Sequence, residues 1–366
     1  MRWAITVVVL MVAGCSLASG AAERTVPKTA PKTEPPIAAP CAVTGVLIPT
    51  CGAWWGIAPE VFTGRGPTRG LERAEQRMGR RADILHVYHR AGELFPTEEE
   101  RALAKDRLLL VNWKPSLRHT WAEIASGALD RRIDKLAAHI SATFPQRFFL
   151  TIHHEPENDV RPAEGMAADD YAAMFRHVVL RLREKGVTNA VTVMTYMGAP
   201  NWSSASWFER LYPGDAVVDW IGVDPYADDR VTDFASLVDK RRPDHPRWPG
   251  FYRWAQSRFP AKPIMVAEWG VFERPGFKAA FFDSVRRQIA AYPQIKALVY
   301  FDSPWAPRGD TRFDTTPEAA EAFRRLGRSP YLTQPPVVRA FITSETARST
   351  GRPVVSISRS ASSGSS

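Results

Sequence analysis

Eight short apolar runs, each followed by a polar or amphipathic stretch, recur between residues 52 and 301, and this alternation limits the possible folds more than any other feature of the chain. The runs occupy 52–55, 82–88, 107–113, 147–153, 190–196, 217–223, 263–268 and 296–301. β-Branched and aromatic residues dominate them, with Pro or Gly close to several of their ends, as expected of buried strands. Strands separated by helical segments form parallel sheets, because each helix carries the chain back to begin the next strand in the same direction. Eight such units suffice to close a ring, so the expected fold is α/β, a single (β/α)8 TIM barrel.

The connecting segments carry helix signals. Thr97-Glu98-Glu99-Glu100 reads as a capping box, in which the Thr hydroxyl and the third Glu each satisfy an orphan backbone N–H. Residues 169–186 place Phe175, Val178, Val179 and Leu182 on one face and stop at Gly186. Thr316-Pro317-Glu318 offers an N-cap, a Pro at the first helical position and an acid near the positive helix end.

The two ends of the chain have a different character. Residues 1–14 read as a signal peptide of the lipoprotein type: Arg2 is the only charge before the apolar run 4–13, and Val12-Ala13-Gly14-Cys15 resembles a lipobox, which would make Cys15 the lipidated residue and the only membrane contact. Cleavage after Ala18-Ser19-Gly20 with full secretion is the rival. Residues 15–40, rich in Pro, Ala and Thr, read as a linker, 41–330 as the folded catalytic domain, and 331–366 as a mostly disordered tail. In an oxidising compartment Cys41 and Cys51 are expected to pair as a disulfide, two free thiols being the alternative. The formal net charge of +9 points towards anionic partners, but the Arg residues are scattered, without a basic stripe or nucleic-acid motif, so no nucleic-acid partner is expected.

In a barrel of this kind the C-terminal ends of the strands form the working face. There the chain presents Trp54-Trp55, His86, Tyr88-His89, Asn112-Trp113, His153-His154-Glu155, Tyr196, Asp224-Pro225-Tyr226, Glu268-Trp269 and Asp302-Ser303-Pro304-Trp305. Aromatics, imidazoles and carboxylates at successive strand ends suit a cleft for a polyhydroxylated ligand. Glu155 and Glu268, ending the fourth and seventh runs, form a candidate catalytic pair, since cutting a glycosidic bond takes one proton donor and one carboxylate facing the anomeric carbon. A metal is not expected: His154-Glu155 begins an HExxH pattern, but Asn158 stands where the second His is needed, and no Cys and His spacing fits zinc. There is no serine nucleophile elbow and no Gly-rich phosphate loop.

His153-His154-Glu155 at the fourth strand, together with Ala267-Glu268-Trp269-Gly270 at the seventh, resembles glycoside hydrolase family 26 and its clan of (β/α)8 retaining glycosidases, many of them β-mannanases. The resemblance covers residues 50–327. It implies that Glu155 is the general acid/base and Glu268 the nucleophile, that His154 hydrogen-bonds in the sugar site, that Tyr226 orients the nucleophile and that Trp305 is a stacking floor. His86, Trp113 and Trp269, also at strand ends, are further candidates for contact with sugar. Where those mannanases usually follow the His-Glu with Gly and a cluster of Trp, this chain continues Pro156-Glu157-Asn158-Asp159, which leaves Glu157 as a rival for the acid. The function expected is that of an exported, monomeric, endo-acting retaining glycoside hydrolase of a β-linked polysaccharide (β-mannan-like, or β-glucan or xylan) that needs no cofactor. The alternatives are a non-catalytic, surface-anchored carbohydrate-binding protein on a degenerate barrel, and a protein for anionic polymers.

Overall fold

The computed structural model describes residues 41–333; the leader, Cys15, the linker to residue 40 and residues 334–366 lie outside the described residues. Among the described residues, eight parallel strands form a closed ring: β1 (Trp54–Ala58), β2 (Ile84–Arg90), β3 (Leu108–Lys114), β4 (Phe148–Ile152), β5 (Ala190–Tyr196), β6 (Trp220–Val223), β7 (Ile264–Val271) and β8 (Ile295–Phe301). Each strand pairs with its sequence neighbour. The ring closes where Trp54 of β1 meets Ala297 of β8, and Ile221 of β6 meets Ile264 of β7. A two-residue strand, Tyr226–Ala227, adds to β7 at its upper end, with Tyr226 opposite Gly270.

The pleat sends alternate residues to opposite faces, and this parity sorts the core into two parts. Ile84, Leu108, Leu110, Phe149, Val191, Val193, Trp220, Met265, Ala297 and Val299 fill the inside of the ring. Leu85, Val87, Leu109, Val111, Trp113, Leu150, Ile152 and Tyr300 face outward into the shell of helices. Continuing by twos up the inner face, β2 delivers Tyr88 to the mouth and β3 delivers Asn112. β7 breaks the rule. Met265 and Ala267 both point inward, so strict alternation would turn Glu268 outward and Trp269 inward; instead the register with β8 shifts between Val266 and Trp269. A local irregularity of this kind re-aims side chains, and here it brings Glu268 to the mouth and sends Trp269 into the outer shell.

The lower end of the ring is sealed by the chain that precedes β1. Leu47 is buried beneath the inner core, and its carbonyl accepts from Trp54 Nε1 at 2.8 Å. The Val46 carbonyl accepts from Trp220 Nε1 at 2.7 Å. A disulfide between Cys41 and Cys51, with Cα atoms 5.5 Å apart, holds this plug as a loop. Closing a loop of that size removes chain entropy worth roughly 2–3 kcal/mol from the unfolded state.

Helices cover the ring in sequence: α1 (Pro67–Met78), α2 (Glu98–Leu103), α3 (Asp130–Thr143), α4 (Ala168–Glu184), α5 (Phe251–Arg258), α6 (Phe277–Gln288) and α7 (Pro317–Gly327), with shorter turns between some of them. The capping box at α2 forms, with the Thr97 hydroxyl accepting from Glu100 N and the Glu100 carboxylate accepting from Thr97 N. Phe175, Val178, Val179 and Leu182 are buried on α4, and Thr316 caps α7. Two boundaries differ from the sequence reading. β1 begins at Trp54 and continues through Gly56, so Trp54 and Trp55 lie at the start of the strand, away from the working face. Gly56 acts there as a spacer, since a Cβ would come within 2.9 Å of both Ile84 Cβ and Val299 Cγ2. At the other end the fold continues past residue 330, because Pro330–Thr333 form a helical turn with Leu332 buried, and the Tyr331 carbonyl accepts from Ala53 N at 3.0 Å.

Candidate active site

The segment 153–159 is a scaffold in which nearly every side chain has a partner. His153 is fully buried; its Nδ1 lies 3.2 Å from the donor Trp121 Nε1 and 2.6 Å from Ser116 Oγ, so the proton belongs on Nε2, 2.8 Å from Asp159 Oδ2. Burial pushes His153 down to about 4, and it stays neutral. Asp159 also takes the Lys114 ammonium at 2.7 Å. Glu157 accepts from the backbone N–H groups of Met197 and Gly198 at 3.1 and 3.2 Å and is 1% exposed, so the second carboxylate of the motif is structural and faces away from the cleft.

That scaffold presents His154 and Glu155 upward. Both His153 (φ 52°) and Glu155 (φ 49°) adopt the left-handed conformation, which costs an L-residue with a Cβ about 1–2 kcal/mol. The cost is borne because both peptides are tied to neighbouring strands: His153 N donates to Trp113 O at 2.8 Å and Glu155 N to Thr195 O at 3.0 Å.

Glu268 lies at the mouth among three donors. Tyr88 OH donates to Oε1 at 2.8 Å, Tyr226 OH donates to Oε2 at 2.9 Å, and His154 Nδ1 lies 3.3 Å from Oε1. Burial by itself would raise its pKa; the positive charge of His154 and these hydrogen bonds outweigh burial and hold Glu268 at about 2. His154 also reaches Asp224 Oδ2 at 3.1 Å. Burial opposes charge on the imidazole, but the negative charge of Glu268 and the hydrogen bond to Asp224 hold it well above its ordinary value. Asp224 is pushed the other way, upward, by burial and by the Glu268 charge, while its hydrogen bond with His154 opposes the rise.

Glu155 is the electrostatic opposite of Glu268. Burial raises it, the His154 charge partly offsets this, and the charges of Glu268 and Glu157 raise it further, to about 7. Its one side-chain hydrogen bond among the described residues comes from Asn158 Nδ2 at 3.2 Å. Glu155 and Glu268 open on one cavity of about 410 Å3, whose walls include Tyr88, Asn112, Phe62, Phe272 and Phe301. A second cavity of about 640 Å3 adjoins it, sharing Glu155, Met197, Tyr226, Pro307 and Arg308. His154, Asp224 and Glu268 each offer one ligand atom within 4.8 Å of the others, a spacing that a cation could use. The two tyrosine hydroxyls already on Glu268, and the imidazole shared between two carboxylates, fit a charged hydrogen-bond network equally well.

Of the residues singled out from sequence, Glu155, Glu268, His154 and Tyr226 come together here. Four others do not border this cavity. Trp113 is fully buried in the outer shell, its Nε1 donating to Ala91 O, because parity puts Asn112 inward in its place. Trp269 is fully buried against Tyr300 and Phe282, turned outward by the shift in β7. His86 faces inward one layer too low: burial lowers it to about 4, it is 4% exposed, and its Nδ1 lies 3.3 Å from Tyr88 OH. Trp305 is 69% exposed beside Glu60, Arg65 and Arg312, outside the cavity that holds the two glutamates. The residues missed as partners of Glu268 and His154 are Tyr88 and Asp224, and the missed wall is Phe62, Phe272 and Phe301. Counting by twos from Ile84 would have found Tyr88.

The closed (β/α)8 ring can be compared with known proteins, and the likeness to solved structures is one of fold. The fold is that of solved glycoside hydrolase family 26 mannanases. The GH26 domain of a Prevotella bryantii endo-β-mannanase/endo-β-glucanase superposes with a TM-score of 0.52 at 13% identity, over 77% of this chain and 90% of that one. A Bacteroides ovatus β-mannanase gives 0.51 at 15% identity, over 77% and 90%. A β-mannanase from a symbiotic protist of the termite Reticulitermes speratus gives 0.52 at 14% identity, over 81% and 98%. In sequence, the chain is 26% identical over 288 residues to endoglucanase H of Acetivibrio thermocellus, covering 75% of this chain and 30% of that protein. It is 27% identical over 104 residues to a β-1,3-xylanase of a Vibrio species, covering 28% and 22%. The chain thus spans less than a third of the length of the curated relatives it matches. No family model matches it.

Proposed function

We propose that the protein is a retaining, endo-acting glycoside hydrolase that cuts a β-linked polysaccharide of the β-mannan, β-glucan or β-xylan type. The observation that carries this reading is the opposite tuning of two carboxyl groups on one cavity, Glu268 held ionised at about 2 and Glu155 held protonated to about 7. In the first step Glu268 attacks the anomeric carbon. The bond from that carbon to the glycosidic oxygen breaks, and the oxygen takes the Glu155 proton. In the second step Glu155, now a base, removes a proton from water as the water oxygen attacks the same carbon and releases Glu268. Tyr88, Tyr226 and His154 fix the nucleophile in place and oppose its protonation. The exposed ring of Phe62 and the rings of Phe272 and Phe301 give the sugar faces apolar surface.

Support for the substrate class comes from the similar proteins, which are a β-mannanase, an endoglucanase and a β-1,3-xylanase. The test is to release reducing ends from a panel of β-mannans, β-glucans and β-xylans with the wild type and with Glu155→Ala and Glu268→Ala. Loss of activity in both variants supports the roles, and full activity in either overturns them. We propose export as well, on the leader sequence and on the Cys41–Cys51 bond, which persists in oxidising compartments. A Cys15→Ser variant should then move from the membrane to the soluble fraction, and an unchanged distribution contradicts anchoring at Cys15.

A further inference from the structure

The second cavity has a character that a site for neutral sugars does not require. Its wall carries Arg230, Lys240, Arg241, Arg242 and Arg308, and it runs directly into the catalytic cavity through Glu155, Tyr226 and Arg308. Most of the carboxylates nearby are already engaged. Asp239 faces Arg253 at 3.3 Å, Asp244 takes Arg242 at 2.6 Å, and Asp224 holds His154. Asp228 remains, bound to Lys240 Nζ at 3.0 Å. Around it three cations meet one anion, since Arg230 and Arg308 are close enough to Lys240 to join burial in lowering its pKa. Among the described residues neither Arg230 nor Arg308 has a carboxylate within ion-pair distance, and both are exposed to the cleft.

Like charges gathered on a concave wall repel each other, and the positive potential they create is focused into the cavity. Polysaccharide recognition without charge needs aromatic faces and hydrogen-bonding groups, which the catalytic cavity already supplies; a pair of guanidinium groups without carboxylate partners, one of them over the Phe272 ring at 5.7 Å, brings in addition a net positive charge that neutral hydroxyls do not use. What such a pair fits is a planar or tetrahedral oxyanion, which two guanidinium forks can hold through paired hydrogen bonds. We propose that this wall binds the anionic substituent, carboxylate or sulfate, of a sugar next to the bond cut, so that the substrate is an acidic β-linked polysaccharide. The proposal rests on the glycosidase reading for its choice of polymer, and it puts the specificity determinants at Arg230, Lys240 and Arg308, outside the group that performs the chemistry.

The experiment uses one backbone, a β-1,4-glucomannan, as its neutral hydroxyethyl derivative, its carboxymethyl derivative and its sulfate ester. Affinity is measured for each polymer at low and high salt, with reducing-end release in parallel. The expected result is at least tenfold tighter binding of a charged derivative than of the neutral one at low salt, with the preference shrinking as salt screens the wall. The derivative bound more tightly identifies the substituent as uronate-like or sulfate-like. The ratio should collapse towards one in the double variant Arg230→Gln/Arg308→Gln and persist in Arg131→Gln/Lys135→Gln, an exposed change of equal charge on the remote helix α3. A wild-type ratio near one overturns the proposal, as does a ratio that survives the substitution of Arg230 and Arg308 or one that Arg131→Gln/Lys135→Gln lowers equally. Failure of the underlying reading looks different: no polymer yields reducing ends, while the charge preference and its loss in the double variant remain.

Discussion

Tyr226 donates its phenolic hydrogen to Glu268 Oε2 at 2.9 Å from a two-residue strand that pairs with Gly270, two positions beyond the glutamate itself. Pairing and hydrogen bond thus fix the same geometry twice. Gly270 makes it possible, since a Cβ there would sit 2.8 Å from Tyr226 Cε1. Hydrogen bonds to an ionised group contribute about 1.5–3 kcal/mol. Tyr226→Phe should therefore lower kcat/KM by roughly 10–150-fold and shift the acidic limb of the pH profile upward, because Glu268 becomes easier to protonate. Gly270→Ala should act in the same direction by displacing the ring. Steady-state kinetics across pH check both.

The pH dependence of activity follows from the two carboxyl groups. The productive form has Glu268 ionised and Glu155 protonated. With these groups at about 2 and about 7, kcat/KM should stay level through mildly acidic pH and fall on the alkaline side of about 7. An Asp at 155 would retain a proton donor on a shorter arm, so Glu155→Asp should keep some activity where Glu155→Ala loses about 100–10,000-fold.

Stability and catalysis should conflict at Glu155. Its ordinary pKa of 4.5 rises to about 7 in the fold, so the native state keeps a proton that the unfolded chain releases between those values. Stability from this group is therefore fully present below 4.5 and is lost as pH rises through that window to about 7. Glu155→Gln cannot ionise and should be more stable than the wild type at pH ~8, by on the order of 1 kcal/mol, with the difference vanishing at pH ~4. Thermal unfolding at the two pH values measures it.

The disulfide and the displaced tryptophans give stability predictions of opposite character. Cys41→Ser/Cys51→Ser opens the plug beneath the ring and should lower stability by roughly 2–3 kcal/mol, with kcat little changed because the mouth is at the other end. Trp269→Ala should cost about 3–5 kcal/mol as a core cavity, and Trp305→Ala, at an exposed loop, almost nothing. Denaturant unfolding distinguishes them.

Much of the ring could be read from the sequence because buried parallel strands leave apolar runs in a single segment, and all eight observed strands overlap those runs. β1 was misplaced because Gly56 reads as a terminator, when it is a spacer between two neighbouring strands. Glu155, Glu268, His154 and Tyr226 were visible because polar residues at the end of an apolar run stand out. Tyr88 stands at a strand end in the sequence, but its link to Glu268 spans 180 positions and depends on ring closure. Trp269 was misjudged for a physical reason: the shift that brings Glu268 inward turns its neighbour outward, and nothing in Ala267-Glu268-Trp269-Gly270 announces an irregular register.

The most direct test follows the anomeric configuration of the first product by NMR as a β-linked oligosaccharide is cut. Two glutamates acting through a glycosyl ester on Glu268 predict that the β-anomer is released first and only then mutarotates. Initial release of the α-anomer means a single displacement by water, and it contradicts Glu268 as the nucleophile.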